Sequence, residues 1–117
     1  MINYHEELVK TLESILPTHY EMVLHSGLNT PCISYMELNN YDVNTGDTVG
    51  YSRITYQVKV WSNRVLDLQK YSLMIDKELK KLGFLRISTS ELYDYQSTMM
   101  QKILTYECLA LEDFGGK

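Results

Sequence analysis

Two histidines and a cysteine that could bind a metal lie close together near the start of the chain. They are His19, His25 and Cys32. Structural zinc sites usually take their ligands from closely spaced pairs that converge on the ion. The gaps here are wider, and the chain contains neither a CxxC nor an HxxxH motif. We therefore expect surface or hydrogen-bonded histidines rather than a metal site.

The acidic and amide residues from Asp42 onward resemble the start of a calcium-binding loop. Such a loop needs an oxygen ligand at its fifth position, a glycine at its sixth and a glutamate at its twelfth. Here Gly46 and Asp47 stand in the reverse order, and the twelfth position is Arg53. An ordinary turn is the better interpretation.

Nucleophilic and acid–base catalysis have no recognisable motif in the sequence. Cys32 and Cys108 lie within strand-like alternating patterns, where a thiol is usually buried and inert. No G-x-S-x-G, phosphate-loop or G-x-G-x-x-G motif is present. Glu91 and Asp94 are isolated carboxylates, for which surface charge is the default interpretation. We expect no catalytic, cofactor-binding or metal-binding residues.

Charge argues against a surface that binds nucleic acid. The formal net charge is −4, whereas phosphate binding needs clustered lysine and arginine. One modest basic group exists, but Asp76 and Glu78 interleave with it, which is typical of a solvated helix face. The basic residues of this group are Lys77, Lys80, Lys81 and Arg86.

Length and composition favour one globular domain over residues 1–117. Hydrophobic residues make up 44% and charged residues 22%, so the chain can form a core without disulfides. We expect no signal peptide and no membrane span, and two free, buried thiols in a reducing cytoplasm. Tyrosine is frequent, with 10 residues; this fits either partner interfaces or the covering of sheet edges.

The stretch 51–61 organises the fold. Ile54, Tyr56 and their neighbours at every second position alternate with polar residues, which predicts a strand with one buried face. The opposite face is predicted to meet solvent or a partner, and it carries Arg53, Thr55, Gln57 and Lys59. A helical pattern over 64–82 follows, with an apolar stripe that includes Val65, and Gly83 is expected to cap it.

The remaining segments complete an α-β-β-β-α-β-β order. A run of strands without βαβ repeats predicts an α+β fold, with an antiparallel sheet of four to five strands and two helices on one face. The hydrophobic stripe before Pro17 predicts the first helix, and turn-forming residues predict a long loop. The other predicted segments are a helix at 3–16, strands at 19–25, 32–38, 84–95 and 101–111, and a loop at 39–50.

Several stretches together resemble the small tail-terminator or tail-completion proteins of long-tailed bacteriophages, the group that joins tail to head. One is Thr30-Pro31-Cys32-Ile33-Ser34-Tyr35, similar to a Pro-x-Ile-x-Tyr strand start in that family. A second is Gln57-Val58-Lys59-Val60-Trp61-Ser62, close to its Q-V-x-V-W-S strand. The helix ending at 79–84 and the strand at 102–107 follow in the family's order, so the likeness covers about residues 2–111.

The resemblance implies a structural virion protein that needs no cofactor. Such proteins form a homo-oligomeric ring, commonly a hexamer, at the head-proximal end of the tail. The ring stops the tail tube protein from polymerising and docks the tail to the head connector, and it is assembled in the host cytoplasm. No membrane or nucleic-acid partner is implied. The resemblance also implies that the protein is not an enzyme. A head-completion protein, a minor capsid adaptor and a small cytoplasmic enzyme or ligand-binding α+β domain remain open alternatives.

A closed ring needs two different patches that meet on neighbouring copies. We predict that these patches are the loop 39–50, with the polar strand face beside it, and the segment 86–95. The candidate interface residues are Tyr41, Asp42, Asn44, Asp47, Arg53, Gln57, Lys59, Arg86, Tyr93 and Tyr95.

Overall fold

The structure is a computed structural model that describes residues 4–20, 30–43, 51–94 and 99–111. Two helices and five strands follow each other in the predicted α-β-β-β-α-β-β order, so the predicted α+β fold class is confirmed. The elements are α1 (Tyr4–Glu13), β1 (Thr18–Tyr20), β2 (Cys32–Val43), β3 (Tyr51–Ser62), α2 (Val65–Lys81), β4 (Leu85–Asp94) and β5 (Met99–Leu111).

The strands form one sheet in the order β1-β2-β3-β5-β4. Its three long ladders are antiparallel. The short β1 adds a parallel pair, with Thr18 opposite Ile33 and Tyr20 opposite Tyr35, so the sheet is mixed. Alternation in a sequence reports which face a side chain occupies but not the direction of the neighbouring strand, which is why this pair was not foreseen.

The predicted boundary between the second strand and the loop 39–50 is wrong, and two other predicted strands also need comment. The predicted loop 39–50 begins too early, because β2 continues to Val43 and pairs with Tyr51. Asparagine and aspartate in this stretch indicated a turn, but pairing with β3 outweighs that local preference. The predicted strand 84–95 is observed as Leu85–Asp94, with a bulge at Arg86–Ser88. Only Thr18–Tyr20 of the first strand lies in the described residues, and 21–25 lie outside them.

Both helices pack on one face of the sheet, as predicted. Leu8 and Leu12 of α1 share a core with β3 and β5. The stripe of α2 contributes three fully covered side chains to the same core: Leu68, Ile75 and Leu79. Val65 was predicted to belong to this stripe, and it lies only about 60° round the helix from Leu68. It is nevertheless half exposed, at the first residue of the helix.

The end of α2 is fixed by its backbone. Gly83 has a φ of +96°, a conformation that costs little only without a side chain. Its N–H donates to the carbonyl of Lys80, and the N–H of Phe84 donates to the carbonyl of Leu79. These two bonds form a Schellman motif, which confirms the predicted glycine cap and turns the chain directly into β4.

Candidate assembly surface

The sheet face opposite the helices was predicted to be an open polar strip. The structure corrects this expectation for Thr55, which is only 8% exposed. Gln57 and Lys59 are half buried. Nε of Arg53 lies 3.7 Å from a carboxylate oxygen of Glu107 on the neighbouring β5. Cross-strand neighbours therefore cover much of this face, so the strip offers less free surface than its sequence indicated.

One end of that face is closed by Trp61. Its indole Nε1 donates a hydrogen bond of 2.9 Å to Oγ of Ser34 on β2. The ammonium of Lys59 lies 5.8 Å from the centre of the indole ring, within the range of a cation–π contact. Cys32 and Ser34 beneath it are fully buried. The sequence did not indicate which face of β2 is buried. In the structure both faces of β2 are covered over residues 32–35.

Acidic neighbours partly neutralise the basic group formed by α2 and Arg86 of β4. Nζ of Lys80 lies 2.9 Å and Nη1 of Arg86 3.5 Å from Oδ2 of Asp76. Nζ of Lys81 lies 3.2 Å from a carboxylate oxygen of Glu78. Burial raises the pKa of the Asp76 carboxyl, but hydrogen bonds from Lys80 and the β5 tyrosine, with the charge of Arg86, bring its pKa below the ordinary value. These ion pairs fit the predicted solvated helix face.

Three of the candidate residues, Tyr41, Asp42 and Arg53, lie on a narrow extension of the sheet. Beyond the pair Leu85–Glu107, the described part of the sheet consists only of β2, β3 and β5. We call residues 41–43, 51–53 and 109–111 the arm. Tyr41 and Asp42 pair in β2 with residues 53 and 52 of β3. The arm carries these positions away from the core.

The other predicted patch lies on β4, an edge strand of the sheet. Every side chain from 85 to 93 is exposed, and four of them are large and apolar: Leu85, Ile87, Leu92 and Tyr93. Arg86 lies on this strand and points back to Asp76 on α2. The ammonium of Lys102 on β5 lies 3.0 Å from the carboxylate of Glu91. The structure thus places Arg86 and Tyr93 on one exposed edge of the sheet.

The flank of α2 on the β4 side also carries exposed apolar residues. Asp76 faces β4, since it contacts Arg86 there. At about 100° per residue, Leu73 lies roughly 60° round the helix from Asp76 and Leu66 roughly 80°. They are 69% and 68% exposed. We call Val65, Leu66, Leu73, Leu92 and Tyr93 the edge patch. No sequence pattern singled out the helix residues, because an isolated exposed leucine is common.

A shallow cleft separates α2 from the end of β4. Its volume is about 240 Å³, and it is lined by Leu68, Glu91, Leu92, Tyr93 and Met100. A cleft of this size accepts one large side chain but not a drug-sized ligand. It therefore fits a protein contact at the edge patch better than a small-molecule site.

Three candidate residues, Asn44, Asp47 and Tyr95, lie outside the described residues, as does His25 of the proposed histidine group. Within residues 4–20, 30–43, 51–94 and 99–111, no three histidine, cysteine or acidic side chains are grouped so that they could hold a metal. Neither described helix has the length and hydropathy to cross a membrane.

The two cysteines are free and buried, as predicted. Burial raises the pKa of both thiols, and for Cys108 the charges of Glu107 and Glu37 add to this, so that its pKa reaches about 11. A thiol that stays protonated is a poor nucleophile.

Comparison with known proteins gives a likeness of fold. A chain in the solved structure titled "Virion of native gene transfer agent (GTA) particle" superposes with a TM-score of 0.53 at 10% identity. The match covers 91% of this chain and 83% of that chain. No family model matches the sequence, and no curated protein matches it. The fold is therefore that of an α+β domain which also occurs in a phage-like particle.

Proposed function

We propose that this chain is a structural protein of a phage-like virion. The observation that carries the proposal is the likeness of its whole fold to a chain of a gene transfer agent particle. The sequence resemblance to tail terminators was drawn from separate motifs and leads to the same class of particle. The chain is proposed to act by binding other virion proteins, without catalysis and without a cofactor.

Within that class, we propose that it forms the terminating ring at the head-proximal end of the tail. A ring of identical copies needs two different surfaces on each copy. β1 and β4 are opposite edges of the sheet, and both expose large apolar side chains, Tyr20 on β1 and Leu92 and Tyr93 on β4. The proposed partners are a second copy, the tail tube protein and the head connector.

Antibody labelling of purified particles tests the location. We expect the label at a single place, the junction of head and tail, with a copy number in keeping with one ring. Label along the whole tube would overturn the proposal. Label confined to head shells that lack tails would favour a head-completion protein or minor capsid adaptor instead.

A further inference from the structure

We propose that neighbouring copies in the ring join through their sheets, with the outer edge of β4 in one copy pairing antiparallel with the β1 edge of the next. This inference deepens the proposed ring and rests on that proposal. Its occupant is a second copy of the same chain, and its chemistry is the backbone pairing of an open strand.

The outer edge of β4 is built to accept a strand. Nine of its ten residues pair with β5 on one side, and no described residue pairs with the other side. Natural proteins usually protect such an edge with charged side chains, above all lysine, or with proline or a bulge. The charged Arg86 and Glu91 of β4 are paired within the same copy, with Asp76 and Lys102. β4 contains no lysine or proline, and its one bulge, at Arg86–Ser88, leaves a regular run from Ser88 to Asp94.

The directions of the strands select the partner. β1 is parallel to β2, and each later pair in the order β1-β2-β3-β5-β4 is antiparallel. The outermost strands therefore run in opposite directions, so a copy placed beside another in the same orientation brings β1 antiparallel to β4. Antiparallel pairing is the slightly more stable arrangement. A contact between unlike edges is also the kind that closes a ring.

The positions of the two edges match. Tyr20 of β1 lies level with Tyr35, Val58, Leu104 and finally Thr89 of β4 along one row of the sheet. The pairing therefore requires little shift along the strands. Tyr20 is half exposed on the β1 edge, so its side chain is available for contact with β4 of the next copy near Thr89.

The helices above the two edges are complementary in charge. α1, which packs at the β1 side, carries Glu6, Glu7 and Glu13 against Lys10. α2 (Val65–Lys81) carries four lysines and three acidic residues. When the edges join, α1 of one copy, which is net negative, meets α2 of the next copy, which is net positive. This charge complementarity favours contact between β4 and β1 over contact between two α2 flanks.

Cysteine cross-linking tests the pairing. His19→Cys lies on β1 and Ser90→Cys lies level with it on β4. We expect a disulfide-linked dimer when the two variants are mixed in assembled particles, and none from either variant alone. A dimer from Ser90→Cys alone would overturn the proposal in favour of symmetric β4–β4 pairing. No link in particles that contain both variants would also overturn it.

Two adjacent positions on α2 give a matched test of the flank. Leu73 lies on the β4 side, whereas Met74 lies roughly 160° round the helix from Asp76 and is 41% exposed. Leu73→Lys should reduce incorporation into particles roughly tenfold, the effect of losing one good interface side chain. Met74→Lys should incorporate normally, and circular dichroism should show both variants folded. Equal incorporation of the two would contradict the proposal.

The readouts separate this inference from the function on which it rests. If loss of the chain changes tail length but no cross-link forms, the ring exists and is joined by other surfaces. If the cross-link forms but tails are unaffected by loss of the chain, the edge pairing stands and the terminator role fails.

Discussion

The hydroxyl of Tyr106 in the centre of β5 donates a 2.9 Å hydrogen bond to Oδ1 of Asp76 on α2. Both residues are buried, at 0% and 9% exposure. The same carboxylate contacts Lys80 and Arg86 through its other oxygen. A single acidic side chain therefore joins the helix to the sheet and orients the start of β4, the strand that carries the proposed contact edge.

Removal of the Tyr106 hydroxyl should weaken this connection. Tyr106→Phe keeps the ring in the core but leaves Oδ1 of Asp76 without its donor. We expect a loss of about 1–3 kcal/mol in the free energy of unfolding, since hydrogen bonds to charged groups are the stronger ones. Urea denaturation measures it. Tyr20→Phe, at a half-exposed edge position, is the control and should change stability little.

The Asp76 carboxylate should make stability depend on acid pH. Its pKa is lowered in the folded state, so its stabilising contribution is present above the unfolded pKa and is lost as the pH falls through the folded value. Asp76→Asn should therefore be less stable than wild type near about pH 7, and the difference should shrink below about pH 4. A difference that stays constant with pH would contradict this role.

Replacement of Gly83 should cost stability through its backbone alone. A Cβ built at this position meets nothing within 4 Å, so no packing clash is expected. Gly83→Ala should lose about 1 kcal/mol because a side chain disfavours the positive φ. Gly83→Asn should lose less, since asparagine tolerates this region better. Equal losses, measured by thermal or urea unfolding, would indicate that the cap is not the cause.

The two thiols should resist modification in the folded protein. Cys32 and Cys108 are buried, and burial raises the pKa of each. A thiol reagent should therefore label them only when the chain unfolds. The exposed Ser90→Cys variant supplies a thiol that should react at once. Rapid labelling of the native wild-type protein would show that the core around these residues opens readily.

The core could be predicted from the sequence because it depends on periodicity. Every second residue of 54–60 and the helical spacing of Leu68, Ile75 and Leu79 are each set by local geometry. The sequence also placed Arg86 and Tyr93 on one strand, although not on an edge strand. These features need no knowledge of which strands are neighbours.

The rest depends on which distant residues meet. Neither the Tyr106–Asp76 bond nor the Trp61–Ser34 bond has a local signal, because 30 and 27 residues separate the partners. Thr55 looked like a surface residue by alternation and is covered by its cross-strand neighbours. The edge patch likewise arises only when α2 lies beside β4, so a sequence pattern could not assign its leucines to a surface.

Tail length tests the central claim most directly. Particles should be produced with and without this chain, and tail lengths measured by electron microscopy, with the wild-type chain supplied from a plasmid as the control. The account predicts overlong tubes without the chain and normal lengths when it is restored. Tails of normal length in its absence, whether joined to heads or not, would contradict a terminating role.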